Sequence, residues 1–135
     1  MRFTRLVLAL VLVLPTGGAG AAQDSMSAEA FDRYTRGKTF YYGSGGEPYG
    51  AEEYLDNRRV RWTFLDGQCR EGRWYEAEGQ ICFVYEDRPE PQCWSFRRAE
   101  GGLVARFEND PDHRELYEVR QSDEPLMCPG PEVGV

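Results

Sequence analysis

Residues 72–96 read GRWYEAEGQICFVYEDRPEPQCWSF, and this stretch decides the fold. It contains three short runs rich in aromatic and β-branched residues, each typical of a β-strand, separated by Glu78-Gly79 and by a proline-bracketed turn over residues 86–90. Two of the three tryptophans and two of the four cysteines lie within it. The stretch therefore predicts three consecutive strands joined by turns.

The spacing of the cysteines predicts how the last two of these strands pair. Side chains alternate between the faces of a strand, so folding the chain about residues 86–90 brings Cys82 opposite Cys93, with aromatic residues meeting on the other face. Pro89 and Pro91 share the parity of Cys93, and in a non-hydrogen-bonded cysteine pair their missing N–H groups point away from the partner strand. This register predicts a Cys82–Cys93 disulfide, and two separately buried thiols are the alternative.

The first 22 residues have the organisation of a secretory signal peptide. Arg2 and Arg5 precede an apolar run over residues 6–14, and small residues follow. The run is shorter than the ~20 residues that a transmembrane helix requires. We therefore expect residues 1–22 to be removed on export, and residues 23–135 to form a single periplasmic or secreted domain that does not insert into the membrane. An uncleaved anchor is the alternative.

All four cysteines lie after this segment, and an even number in a short exported chain indicates two disulfides. With Cys82 paired to Cys93, elimination leaves Cys69–Cys128, which would close a loop of about 60 residues and stabilise the fold by ~4 kcal/mol. A zinc site is the competing interpretation, but the sequence has no C-x-x-C motif and its one histidine, His113, is distant from the cysteines. We therefore expect no metal and no other cofactor.

The charge of the chain argues against polyanionic partners. The net charge is −7, and removal of the signal peptide would leave 14 Lys and Arg against 23 Asp and Glu, a net charge of −9. Nucleic-acid affinity depends on cationic side chains that neutralise phosphates, and anionic membrane surfaces attract basic segments. We therefore expect neither a nucleic-acid partner nor an anionic membrane surface as partner.

The rest of the chain predicts a mainly β domain with one N-terminal helix. Ser27–Arg36 is a short helical segment, with Ser27 as its N-cap and Gly37 as its stop. From Lys38 onward the apolar period is two, and about eight strands follow, over residues 39–42, 51–55, 59–65, 69–76, 81–85, 93–96, 103–108 and 115–120. We expect an antiparallel meander that curls into a small barrel or a strongly bent sheet.

Four short motifs carry a family resemblance: Gly37-Lys38-Thr39-Phe40, Gly72-Arg73-Trp74, Ile81-Cys82-Phe83 and Cys93-Trp94. In this order they resemble an uncharacterised family of small secreted proteobacterial proteins that have a G-x-W strand followed by a cysteine-bearing hairpin. The resemblance implies no established activity and no catalytic residue. Lipocalins also contain G-x-W, but near their first strand, whereas here the motif lies on about the fourth.

Two loops contain residue types that occur in functional sites. Asp110, Asp112 and His113 have the chemistry of a cation site or an acid–base pair, although a solvated Asp-Pro-Asp turn explains them equally simply and is favoured. The loop of residues 43–46 has the glycine content of a phosphate-binding loop, but it lacks the Lys-Ser/Thr ending, so a flexible hairpin connection is favoured.

Two sets of charged residues are further candidates. A basic face could bind an anionic ligand, and its residues would be Arg58, Arg59, Arg61, Arg97 and Arg98. Ion pairs between these arginines and neighbouring glutamates are the favoured interpretation. Paired carboxylates of the glycosidase type could come from Glu52, Glu53, Glu86 and Asp87. A solvated rim of acidic residues is the favoured interpretation.

The 18 Phe, Tyr and Trp residues are the last notable feature. They could fill a small barrel or line a pocket, and the candidate ligand-facing residues are Trp62, Trp74, Phe83 and Trp94. The sequence favours an exported, non-enzymatic β-domain that binds a small ligand or a periplasmic protein. A small secreted hydrolase and an envelope structural or stress protein without a discrete site are the alternatives.

Overall fold

Residues 25–128 are described by the computed structural model of the protein. Each strand pairs antiparallel with the next, and β8 pairs with β1, so the sheet closes into an eight-stranded barrel. The elements are α1 Ala28–Thr35, β1 Thr39–Ser44, β2 Glu47–Tyr54, β3 Arg59–Thr63, β4 Arg70–Ala77, β5 Gln80–Tyr85, β6 Arg88–Ala99, β7 Gly102–Phe107 and β8 Glu115–Ser122, with a 3-10 turn, Asp56–Arg58, between β2 and β3. The predicted mainly β meander with one short helix is confirmed.

The predicted signal peptide, residues 1–22, lies outside the described residues. Within residues 25–128, the single helix spans eight residues, and none of the described chain forms a helix long and apolar enough to cross a membrane.

Both predicted disulfides are present. Cys82 and Cys93 are bonded across the β5–β6 hairpin, with their Cα atoms 3.9 Å apart, and Cys69 and Cys128 are bonded with Cα atoms 5.6 Å apart. The Cys93 N–H donates to Asn109 Oδ1, on the side away from β5, which makes the Cys82–Cys93 position a non-hydrogen-bonded pair. The register predicted from the spacing of the cysteines is therefore confirmed.

The β5–β6 turn is shorter than predicted. Only Glu86 and Asp87 separate the two strands, and Pro89 and Pro91 lie inside β6 rather than in the turn. Strand positions suit these prolines because their missing N–H groups face away from β5, and the Pro91 carbonyl accepts a hydrogen bond from Asn109 on that same side.

The chain that follows β8 runs back along the outside of the barrel, and we call residues 123–128 the tail. The Thr39 hydroxyl donates to the Glu124 carbonyl, and the Leu126 N–H donates to Glu53 Oε2 at 3.0 Å. The Cys69–Cys128 disulfide then fixes the tail to the residue before β4. Outward-facing Glu53 is consequently buried beneath the tail.

The two ends of the barrel differ. The β2–β3, β4–β5 and β6–β7 connections lie at one end together with α1, and the other four connections lie at the opposite end. Phe31 of α1 is fully buried, and its ring contacts the rings of four inward-facing residues, Tyr54, Trp74, Phe83 and Phe96. The Arg58 guanidinium lies 4.5 Å from the centre of the Trp74 ring at this end. We call this the closed end and the opposite one the open end.

Candidate ligand-binding site

A cavity of about 100 Å³ extends from the open end into the barrel. An interior site for one ordered water needs about 10–15 Å³, so the cavity has room for several waters or for a small organic molecule. Its apolar wall comes from inward-facing residues of β3, β5, β6, β7 and β8: Trp62, Phe83, Trp94, Phe96, Ala105 and Leu116. Eight-stranded barrels can be filled by their own side chains or can hold one small ligand, and this one retains space at the open end.

Glu52 places a carboxyl group in the wall of this cavity. The alternation of β2 points Glu52 and Tyr54 inward, and the Glu52 side chain is only 2% exposed. Its Oε1 accepts a hydrogen bond from the Tyr85 hydroxyl at 2.9 Å, whereas Oε2 is buried without a hydrogen-bond partner. A buried polar atom without a partner costs about 1–3 kcal/mol, which a suitably placed ligand group would recover.

The environment of Glu52 favours its neutral form. Burial raises the pKa of this carboxyl well above its ordinary value, and the hydrogen bond from Tyr85 opposes that shift only in part. Since Oε1 already accepts from Tyr85, a proton on the carboxyl is best placed on Oε2. The cavity wall thus contains a carboxylic acid group that can exchange hydrogen bonds without carrying charge.

Tyrosine hydroxyls complete the polar part of the interior. The hydroxyls of Tyr42 and Tyr54 are buried and lie 2.8 Å apart, so one of them donates a hydrogen bond to the other. Burial raises the pKa of Tyr42, Tyr54 and Tyr85, which keeps these phenols neutral. The inner part of the cavity is therefore uncharged but contains several hydrogen-bonding groups.

Charged residues lie where the cavity meets solvent. Arg70 Nε donates to Asp87 Oδ2 at 2.5 Å, and the Arg70 guanidinium lies 4.9 Å from the centre of the Phe64 ring. Arg70 Nη1 is buried without a hydrogen-bond partner, and exposed Arg88 also lines the cavity. The mouth thus combines two guanidinium groups with one carboxylate.

Three of the four aromatic residues predicted to face a ligand line the cavity: Trp62, Phe83 and Trp94. The fourth, Trp74, also faces inward, but it packs between Phe31 and Arg58 at the closed end and does not line the cavity. Strand parity identifies inward-facing rings, but it does not show which end of the barrel remains open.

The four candidate carboxylates lie in different environments. Glu52 and Asp87 line the same cavity, one deeply buried and one at the mouth, whereas Glu53 lies on the outer face of β2 and Glu86 is exposed in a turn. The expectation of a solvated rim is wrong for Glu52 and Glu53, because one faces the interior and the tail covers the other. Their adjacent positions in the sequence lie on opposite faces of one strand.

The Asp110–His113 loop is held together by its own hydrogen bonds. Asp110 Oδ1 accepts from the Asp112 N–H, and the Asp110 carbonyl accepts from the His113 N–H. His113 Nδ1 lies 3.7 Å from Glu108 Oε2 and 3.3 Å from the Phe107 carbonyl oxygen. Among residues 25–128, no three His, Cys, Asp or Glu side chains are grouped so that they could hold a metal ion.

Three of the remaining candidate arginines make structural contacts. Arg61 pairs with Glu53 and Glu71, Arg97 pairs with Glu115, and the Arg98 guanidinium stacks on the Tyr34 ring. These contacts lie on different parts of the barrel, so the arginines do not form one basic face. Residues 43–46 form the end of the β1–β2 hairpin, in which Gly45 and Gly46 adopt positive φ.

Sequence reasoning missed Arg70, Tyr85 and the interior position of Glu52. A signal for Glu52 exists, because it has the parity of Tyr54, and an aromatic residue two positions along a strand marks the inward face. Arg70 has the parity of Trp74 within the predicted strand 69–76, so alternation points it inward as well, but its contact with Asp87 at the mouth joins residues from two different hairpins and leaves no local signal.

No protein-family model matches the chain, and neither a curated protein nor a solved structure shows significant similarity to it. The two disulfides indicate an oxidising environment outside the cytoplasm. The chemistry of the cavity is therefore the basis for assigning a function.

Proposed function

We propose that the protein is a non-enzymatic binding protein that takes up a small ligand with an apolar body in the cavity at the open end. The observation that carries this proposal is the buried Glu52 Oε2, which has no hydrogen-bond partner in the protein and belongs to a largely aromatic wall. Buried polar groups in proteins are nearly always paired. A ligand whose polar group pairs with Glu52 would offset the cost of burying the carboxyl.

The distribution of carboxylates supports binding rather than hydrolysis. Two carboxyl groups line the cavity, and Asp87 is held in an ion pair with Arg70 at the mouth. Glu52 is hydrogen-bonded to Tyr85 within the interior. Asp87 is thus held by Arg70, and Glu52 is held through Oε1 and keeps only Oε2 for a ligand, which suits fixed recognition.

We further propose that the protein acts in the periplasm or as a secreted protein. The basis is the sequence of residues 1–22, which resembles a signal peptide, together with the two disulfides. Fractionation of the producing cell should recover a processed, oxidised chain outside the cytoplasm. Recovery of an unprocessed, reduced chain from the cytoplasm would contradict this location.

Binding can be tested with phenol and indole, two small neutral aromatic probes, by titration of the isotopically labelled protein in amide-proton NMR spectra. We expect saturable shifts that are concentrated at the cavity-lining positions of β2, β5 and β6. Gln92 pairs with inward-facing Phe83 and lines the cavity, so Gln92→Trp should block the cavity and abolish the shifts.

Tyr75→Trp is the matched control, because Tyr75 is exposed on the outer face of β4. This variant should bind the probes like the native protein, and near-ultraviolet circular dichroism would verify that both variants are folded. The proposed function would be overturned if the probes induced no shifts in the native protein. It would also be overturned if the shifts persisted unchanged in folded Gln92→Trp.

A further inference from the structure

We infer that the ligand is a small aromatic acid, with its anionic group at Arg70 in the mouth and an uncharged hydroxyl or carbonyl group at Glu52. This inference rests on the proposed binding function and specifies the class of ligand.

We call the surroundings of Glu52 the inner pole of the cavity and the surroundings of Arg70 its outer pole. The same kind of observation identifies both. Within residues 25–128, two buried side-chain polar atoms lack a hydrogen-bond partner: Glu52 Oε2 and Arg70 Nη1. Both residues line the one cavity. Buried polar atoms in native proteins pair with protein, ordered water or ligand, so the two atoms without a protein partner mark the places where polar groups of a bound ligand would pair.

The mouth has the chemistry of an anion site. Nε of Arg70 donates to Asp87 and the Phe64 ring lies near the guanidinium, whereas Nη1 has no hydrogen-bond partner in the protein. A guanidinium presents several N–H donors in a planar fork that matches a carboxylate or phosphate. Arg88 adds a second positive charge, so the mouth is cationic even though the chain as a whole has a net charge of −7.

The inner pole favours an uncharged group over an ammonium. A cation at this position would require Glu52 to ionise in a buried, apolar environment, which the raised pKa of its carboxyl opposes. Such a cation would also enter past Arg70 and Arg88. A hydroxyl or carbonyl can exchange a hydrogen bond with the neutral acid without either cost.

The wall between the two poles suits a planar ring. Trp62, Phe83 and Trp94 provide aromatic surfaces there, and aromatic pairs gain stabilisation beyond that from buried area alone when they stack or meet edge to face. The cavity of about 100 Å³ has room for a single small ring.

The ligand class can be tested by measuring the affinities of five probes with calorimetry or NMR titration. The probes are phenol, benzoate, 4-hydroxybenzoate, 4-hydroxyphenylacetate and benzylamine. The tighter of the two hydroxylated acids should bind at least tenfold more tightly than phenol, benzoate or benzylamine. Arg70→Gln should reduce that affinity at least tenfold and change the affinity for phenol by less than threefold.

Two substitutions of Glu52 distinguish an uncharged partner from a cation. Glu52→Gln keeps a neutral hydrogen-bonding group, so it should retain the affinity for the hydroxylated acid within threefold, whereas Glu52→Leu should reduce it at least tenfold. Glu53→Gln is the matched control on the outer face and should have no effect.

The outcomes separate the ligand class from the proposed function. Hydroxylated acids that bind no more tightly than phenol would overturn the ligand class and leave the binding function intact. Preferred binding of benzylamine that is lost in Glu52→Gln would assign an amine ligand instead. Failure of every probe, including phenol, would overturn the binding function itself.

Discussion

The two ends of the barrel are built from the same eight strands but differ in composition and packing. At the closed end, α1 inserts Phe31 among four aromatic rings, and Arg58 stacks on Trp74. At the open end, no helix covers the interior in the described chain, Phe64 is 46% exposed, and charged residues surround a cavity. The difference indicates that the closed end supplies stability, which leaves the open end free for recognition.

The largest expected effect that tests this comparison is the loss of Phe31. Phe31→Ala removes a fully buried ring and leaves a void, so we expect the free energy of unfolding to fall by about 3–5 kcal/mol. Phe64→Ala is the counterpart at the open end, where removal of an exposed ring should cost less than about 1 kcal/mol. Urea unfolding of the oxidised proteins would measure both, and equal losses would refute the division between the ends.

The next largest effect concerns the tail, which joins the two ends along the outside of the barrel. Replacing Cys69 and Cys128 together by alanine opens a loop with a sequence separation of 59 and should cost about 4 kcal/mol. Replacing Cys82 and Cys93 opens a loop with a separation of only 11 and should cost about 3 kcal/mol. Denaturant unfolding of the two double variants would test this order, and the reverse order would show that local contacts of the bonds outweigh loop length.

A smaller, pH-dependent effect should distinguish the interior of the open end from the outer face. Because the pKa of Glu52 is raised in the folded protein, the unfolded chain loses this proton at lower pH than the folded chain does. The stability that this group contributes is therefore greatest below its pKa in the unfolded chain, about 4.3. As the pH rises from there to the pKa in the folded protein, this contribution decreases by about 1.4 kcal/mol for each pH unit.

Glu52→Gln should remove this pH dependence, so the variant should become more stable than the native protein as the pH rises above about 4.3. Glu53→Gln, which keeps an acceptor for the Leu126 N–H, is the control substitution on the outer face. Unfolding free energies between pH 4 and pH 8 would decide the matter. Parallel profiles for the native protein and Glu52→Gln would show that the buried carboxyl does not titrate as proposed.

The smallest effect compares two exposed arginines. Arg58→Ala removes a guanidinium stacked on Trp74 at the closed end and should cost about 0.5–1 kcal/mol. Arg88→Ala at the open end should leave stability nearly unchanged. Thermal unfolding of the two variants side by side would resolve the difference, and an equal cost would show that the stacking contributes nothing.

The sequence predicts the framework of this protein well and its site poorly. Local alternation places Cys82 opposite Cys93 because both residues belong to one hairpin, and elimination then pairs Cys69 with Cys128. Whether the sheet closes depends on β1 meeting β8, a contact between distant segments on which local periodicity has no bearing. The barrel and the bent sheet could therefore not be distinguished in advance.

The functional residues escape sequence reasoning for a related reason. Glu52 and Glu53 have the same chemistry, and their different environments arise from the barrel interior on one side and the tail on the other. Trp74 and Trp94 both face inward, yet α1 packs against only the first of these two. The packing of Phe31 and Arg58 around Trp74 keeps this ring out of the cavity wall, and that packing is a tertiary property.

The seam between β1 and β8 has a consequence for the order of folding. Thr39 pairs with Ser122, so the ring of strands is completed by segments about eighty residues apart, whereas the other seven pairings join neighbours in the chain. Hairpins form within microseconds, but joining distant segments carries a larger entropic barrier, so we expect ring closure to be rate-limiting. Phe31 contacts rings from β2, β4, β5 and β6, and its helix can dock only on an assembled wall. The first element of the described chain is thus expected to be among the last to reach its native position.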